Sequence, residues 1–466
     1  MSGPRDAARN ATLPAPGLIA LAAAIAGGEV SAESAVLAAI TRADALTDIN
    51  AVVAMDIDQT LATARQRDDE RAAGRLRGVL HGVPLAHKDM FHRAGKVSGY
   101  GSRICAEHVP QDTSPLIARL EAAGAITLGR LHMAEFALGP TGHNAHLGRC
   151  RNPWHREAIT GGSSSGSGAA VAAGIVTGAL GSDTGGSIRL PAAFCGVAGL
   201  KPTHGRLTTS GMMPLSASMD VPGPLARSSH DLARLMTVLC GTGEDFEAAL
   251  AGHLRGLRIG VPSSYYVEGL DPEVAAALAV ARGVLRDLGA SVIDVAVPDQ
   301  APYTRLAAEI WAPEAATVHA DRLATRAQDY GEQVRNRLLE GARVGPEAYR
   351  AALAGRAAAQ AEMLTGPLTI CDMLLTPAAR TTVPMADAVS ATAGPAMAAM
   401  IGEISAFTRT VSMLGFPALV TPMGADPRGL PIALQLIGRP HSEALLLRAG
   451  DAFERAARWH ERRPTL

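Results

Sequence analysis

The chain has 466 residues, enough for roughly two to three domains or one large α/β unit. Hydrophobic residues make up 47% and charged residues 19%, and the formal net charge is -1 with no long run of one sign, which excludes a basic nucleic-acid-binding footprint. No stretch stays apolar for the ~20 residues that a membrane span requires.

Arg5 and Arg9 precede "LIALAAAIAGG", an arrangement shared with secretory leaders. The alternative, which we adopt, is an amphipathic helix with Leu18, Leu21, Ala22 and Ile25 on one face, stopped by Gly27 and Gly28. Ser31 then N-caps a second helix, "AESAVLAAITRADAL". "HGVPLAHKDMF" places Lys88 after a short apolar run, at a strand's end. "SPLIARLEAAG" opens with Pro115 at a first helical position and closes at Gly124, and "AITLGR" follows as a strand. "LRIGVP", "DPEVAAALAVARGVLRDLG" and "ASVIDVAVP" make one βαβ unit. After a mostly helical stretch from about Ala301 to Ala399, a candidate lid, come "FPALVTPMG", "GLPIALQLIG" and a last helix, "SEALLLRAGDAFERAARW". "DMLLTPA" adds a further strand. This alternation predicts an α/β fold with a central mixed sheet between helical layers, organised as one unit over 1–466. Five scattered cysteines without a CxxC pair indicate neither a zinc site nor a disulfide framework and fit a reducing cytoplasm.

The chemistry concentrates in "TGGSSSGSGAAVAAGIVTGALGSDTGGSIRLPAAFCG", Thr160 to Gly196, two serine–glycine loops on either side of an apolar segment. A phosphate-binding loop of the Walker type needs Gly-Lys-Ser/Thr at its end, and the run has no lysine before Lys201. A dinucleotide fingerprint needs an acidic residue about twenty positions on, and Asp183, near that distance, lies inside the second glycine loop. Serine as nucleophile needs a base. Histidines are available (His81, His87, His92, His132, His143, His146, His155), and so is Lys88, whose burial would lower its pKa enough for it to accept a proton.

"GVPLAHKDMF", "RNPW", "TGGSSSGSGAAVAAG", "GSDTGGSIRLPAAFCGVAGLKPTHG" and "GPLARSSHDLA", with "FPALVTPMG" and "GLPIALQLIG" further on, together resemble the amidase signature family. The signature core runs from about residue 60 to about residue 240, and the mostly helical variable region from about 300 to 400. By position, the resemblance implies Lys88 as base, Ser163 as the bridging serine after a cis peptide bond, and Ser187 as nucleophile. It implies that Thr184, Gly185 and Gly186, with Ser187, direct backbone N–H groups at an oxyanion. Ser164, Asp183 and Arg189 become supporting residues, the last two as a bracing ion pair. Ala137 and Leu138 border the acyl pocket, with Met212 and Met213 from "GMMPLSASMD" as an apolar substrate wall that Met219 extends. No metal, nucleotide or flavin is implied.

The family contains free hydrolases and the glutamine-hydrolysing subunit of the tRNA-dependent amidotransferase. The latter reads close to "GSSTENSAFGP" and "SLDQIGP", where this chain has "GPTGHNAHLGR" and "SMDVPGP". We therefore expect a free hydrolase such as an aryl acylamidase or urethanase. It would act as a monomer or homodimer, without nucleic acid or membrane, on neutral apolar amides or carbamates.

Overall fold

A computed structural model describes residues 17–466. Eleven strands form one mixed sheet. In chain order they are β1 (Val52–Met55), β2 (Pro84–Lys88), β3 (Ile126–Leu131), β4 (Gly178–Asp183), β5 (Ala198–Lys201), β6 (Val221–Ala226), β7 (Arg258–Pro262), β8 (Ser291–Val295), β9 (Met373–Pro377), β10 (Ala418–Ala425) and β11 (Pro431–Gly438). Their order across the sheet is β1-β3-β2-β4-β6-β5-β10-β11-β9-β7-β8. Two parallel blocks, β3-β2-β4 and β9-β7-β8, are joined through antiparallel pairs in the middle.

The first block matters most. β2 runs parallel to β4 with His87 opposite Leu180, so both strands deliver their C-terminal residues to one edge. Lys88 ends β2 and Ser182-Asp183 ends β4, all of them buried. In α/β sheets such an edge is where ligands bind, because loops converge there on a rigid frame.

Several expected elements form for the expected reasons. Helix Leu18–Gly27 buries Leu18, Leu21, Ala22 and Ile25 and stops at Gly28 with φ 80°, while Arg5 and Arg9 lie outside the described residues. The Ser31 hydroxyl accepts from the Ser34 N–H at the start of helix Ala32–Ala45. Helix Pro272–Asp287 links the parallel strands β7 and β8. The stretch between 300 and 400 is helical at Gln300–Val318, Glu332–Gly341 and Pro346–Thr365; Tyr303, Ile310, Ala352 and Met363 pack into a second apolar cluster shared with Val295, Ala418 and Ile437 of the sheet, while Val334 and Leu338 join the main core. It also holds β9, an inner strand hydrogen-bonded on one side to β11 and on the other to β7, so the stretch is partly sheet framework. Among the described residues no helix is long and apolar enough to cross a membrane.

Candidate active site

The two serine–glycine loops meet. The Ser164 N–H donates to the Ser187 carbonyl at 3.2 Å, and the Ser164 hydroxyl bonds both the N–H and the carbonyl of Ser182 at 3.2 Å. Between the loops runs helix Ser165–Ala172, buried along its whole length, with Ser167 tied to the Leu180 carbonyl of β4 at 3.0 Å. Small residues are needed because backbone lies against it. A Cβ on Gly168 would fall 2.8 Å from the Pro191 carbonyl oxygen. A Cβ on Gly162 would collide with the Gly139 carbonyl. The Gly162–Ser163 peptide bond is cis.

Lys88 is fully buried, with Nζ 2.7 Å from Ser163 Oγ and 2.8 Å from Ser182 Oγ. Burial pushes its ammonium down to about 7, against the attraction of Asp220 and Asp183. Asp220, itself raised to about 6 by burial, accepts from Thr184 Oγ1 at 2.6 Å and from the N–H groups of Leu215 and Ser216. Asp183 and Arg189 form a completely buried ion pair at 2.9 Å. Burial alone would raise the Asp183 carboxyl, but the adjacent guanidinium holds it at about 2. Arg189 donates further to Gln435 Oε1 at 2.7 Å and to the Thr408 carbonyl at 2.8 Å, tying the second loop to β11 and to helix Ala406–Leu414. Thr408 returns the contact, its hydroxyl donating to the Gly185 carbonyl at 2.8 Å.

Ser187 is half-buried and opens onto a cavity of about 60 Å³, lined also by Ala137, Leu138, Thr184 and Gly185. The N–H groups of Thr184, Gly185 and Ser187 have no hydrogen-bond partner among the described residues. Gly186 departs from the expected set, because its N–H donates to Asp183 Oδ1 at 2.8 Å and is not free to meet an oxyanion. Its carbonyl accepts from the Leu190 N–H, and the trans peptide then turns the Ser187 N–H the opposite way.

The cavity wall also departs from expectation. Met212 and Met213 are buried in the main core and Met219 in the second cluster, and none lines the cavity. The cause is the backbone of their loop. Met212 bridges to Phe91 and the Met213 N–H donates to the Met90 carbonyl, which clamps the loop inward. Trp311, Arg337, Ile401, Ser405 and Arg409 take their place, so the wall is not poor in charge. No histidine lines it. His87 and His132, the buried histidines nearest in sequence to the loops' partners, are pushed by burial to about 3 and about 4. Among the described residues no group of three or more His, Cys, Asp or Glu is arranged to hold a metal ion.

Residues 34–447 match the family model described as Amidase. The chain belongs to the amidase family. This amidase is an amidohydrolase acting on carbon–nitrogen bonds, with the family's α/β fold. It is 38% identical to a glutamyl-tRNA(Gln) amidotransferase subunit from Chloroflexus aurantiacus over 95% of this chain and 97% of that protein. The native peptide amidase of Stenotrophomonas maltophilia superposes with a TM-score of 0.81 at 30% identity, over 97% and 99% of the two chains. A protein solved in work on a vestigial complex and the origins of an s-triazine catabolic enzyme superposes at 0.89, with 33% identity, over 97% of this amidase and all of that chain.

Two kinds of site residue escaped the sequence reading. Ser182 had a weak signal, as one of two consecutive polar residues at the end of an otherwise small, apolar strand. Arg337 and Arg409 had none, since they come from helices Glu332–Gly341 and Ala406–Leu414, remote in sequence from the motifs.

The two glycines of the nucleophile loop should respond differently to alanine. A Cβ on Gly185 meets nothing within 4 Å, whereas Gly186 has φ +130° and a Cβ there would strike Thr408. Gly185→Ala should keep its stability within about 1 kcal/mol of the parent yet lose roughly tenfold or more in kcat/KM as its methyl enters the cavity. Gly186→Ala should lose about 1–3 kcal/mol. Thermal melts and steady-state rates on both variants check the contrast.

Proposed function

We propose that this amidase hydrolyses small amides or carbamates through an acyl-enzyme on Ser187, with Lys88 as base and Ser163 as proton relay. The observation that carries this is the fully buried Lys88 amine, pushed by burial down to about 7 so that its free-base form is populated near neutral pH, 2.7 Å from Ser163, whose neighbour Gly162 lines the cavity that Ser187 enters. Ser187 Oγ attacks the carbonyl carbon. Its proton passes to Ser163 Oγ, and the Ser163 proton passes to the Lys88 lone pair. The carbonyl oxygen becomes an oxyanion facing the free N–H groups of Thr184, Gly185 and Ser187. Collapse breaks the C–N bond, and the amine leaves with a proton returned from Lys88 through Ser163. Water then attacks the acyl-enzyme by the same relay and frees the acid and Ser187. Ser182 holds the lysine amine toward Ser163, and Asp183 with Arg189 fixes the loop. An amide and a carbamate present the same carbonyl to this arrangement. A cavity of about 60 Å³ has room for roughly five waters, which favours short substrates.

A second reading, a glutamine-hydrolysing amidotransferase subunit working with partners on charged tRNA, draws support from the 38% identity to the Chloroflexus protein. The departures at "GPTGHNAHLGR" and "SMDVPGP" weigh against it. The test uses the purified chain alone, with a short aliphatic amide, an anilide, an aryl carbamate and glutamine, quenched early for mass analysis. Turnover of a small amide or carbamate with a transient acyl mass on Ser187 is the expected result. Glutamine hydrolysis with no cleavage of the other three would overturn it in favour of the amidotransferase.

A further inference from the structure

The cavity that Ser187 enters carries two guanidinium groups and no carboxylate. Arg337 and Arg409 both line it, and none of the lining residues is Asp or Glu. Neither arginine belongs to an ion pair among the described residues, although the structure pairs many of its other arginines. Arg337 makes no hydrogen bond there at all. Its guanidinium lies over the Trp311 ring, 4.6 Å from the centroid, a contact that orients the plane and leaves its N–H groups unoccupied. Arg409 spends one nitrogen on Ser405 Oγ at 2.6 Å and the Ile401 carbonyl at 3.1 Å, and the rest of its fork has no partner among the described residues. Burial, and then the neighbouring Arg409, push Arg337 down to about 9 against the attraction of Glu340, which does not line the cavity, and burial lowers Arg409 as well. Both arginine side chains are half-buried, so their free N–H groups face the cavity, where an anion would offset the repulsion between the two like charges.

A planar fork with free parallel donors matches a carboxylate in bidentate geometry, as a lone ammonium does not. Glutamine fits poorly, because its ammonium would enter beside two guanidiniums with no acid to meet it. Uncharged amides leave both arginines unmatched. We infer that the substrate carries a carboxylate close to its scissile amide, held by Arg337 and Arg409, and that short monoamides of dicarboxylic acids represent its class. This inference rests on the hydrolytic reading above. It replaces the neutral apolar substrate expected from sequence. The reaction balances as water plus the monoamide carboxylate giving dicarboxylate and ammonium. The C–N bond breaks, a C–O bond forms, the departing nitrogen takes the proton relayed from Lys88, and the ammonia released takes a second from the new carboxylic acid.

The test compares succinamate with butyramide, which puts a methyl in place of the carboxylate, and with glutamine. The proteins are the parent, Arg337→Gln and Arg409→Gln. Calorimetry of malonate and succinate binding to Ser187→Ala supplies a readout free of turnover. We expect kcat/KM for succinamate to exceed that for butyramide by roughly 30-fold or more. The preference should collapse toward unity in either arginine variant, mainly through KM. Dicarboxylate binding to Ser187→Ala should vanish when either arginine is also replaced. Should one arginine variant fail to fold, the other and the calorimetry decide. Equal rates on succinamate and butyramide, glutamine matching succinamate, or a preference untouched by both changes would overturn the inference while leaving the hydrolase reading intact. Dicarboxylate binding that depends on the arginines, with no amide cleaved, would instead sink the hydrolase reading and keep the anion site.

Discussion

Lys88→Met is expected to abolish amide hydrolysis, with kcat/KM down by ~10⁴-fold, and to leave a folded protein at least as stable as the parent at pH 7. Methionine keeps the length and volume of the buried side chain and removes only the amine. The loss in rate follows from the relay, because Ser163 then has no acceptor for the proton it takes from Ser187. The stability half follows from linkage. The Lys88 amine titrates at about 7 in the folded chain and near its ordinary 10.5 when unfolded. Between those values the unfolded state binds more protons, so this group's contribution to stability rises with pH across that window. Below about 7 the buried amine must be protonated and the full cost of burying the charge applies. Removing the amine removes that cost. In the parent, kcat/KM should climb as pH rises through about 7 and then level, since only the neutral amine can accept a proton. Rate profiles over acid to alkaline pH, with urea unfolding of both proteins, check this. A flat profile, or an active Lys88→Met, would take Lys88 out of the mechanism.

Arg189→Met is expected to cost about 3–5 kcal/mol in unfolding free energy, because it strands a buried carboxylate. The loss extends beyond the pair, since Arg189 also satisfies Gln435 and the Thr408 carbonyl. The acid limb gives a separate sign. Asp183 titrates at about 2 when folded and near 3.8 when unfolded, so its pairing supplies stability above about 3.8 that drains away as pH falls toward 2. In Arg189→Met that contribution is absent, and protonating Asp183 should relieve the variant. The gap in stability between parent and variant should therefore be wider at pH 7 than near pH 3. Denaturant titrations at the two values measure it. A constant gap would mean that the guanidinium does not hold the carboxyl down.

The sequence disclosed most where residue type and local pattern act together. The buried face of Leu18, Leu21, Ala22 and Ile25, the Ser31 cap, and the βαβ unit around Pro272–Asp287 follow from periodicity and capping alone. The two serine–glycine loops were legible because backbone approaching backbone, as at Gly162 and Gly168, tolerates nothing larger. What stayed hidden depends on which way a side chain turns after distant segments pack. Nothing local distinguishes Arg337 or Arg409 from the solvated arginines on other helices. Nothing in "GMMPLSASMD" announces that a bridge to Phe91 turns its methionines inward. Gly186 shows the same limit at atomic scale. Its place in the glycine run was plain, but the capture of its N–H by Asp183 is a property of the folded turn.

Thr408 and Arg409 are neighbours on one helix, the first fastening the Gly185 carbonyl, the second facing the cavity. A change that shifts this helix to suit a new ligand also moves the loop carrying Ser187. Arg337 has no such tie, standing on helix Glu332–Gly341 and leaning on Trp311. The two arginines therefore differ in evolvability. On the carboxylate-binding role inferred above, a change at position 337 would alter selectivity without touching the Gly185 fastening, whereas one at position 409 sits beside it.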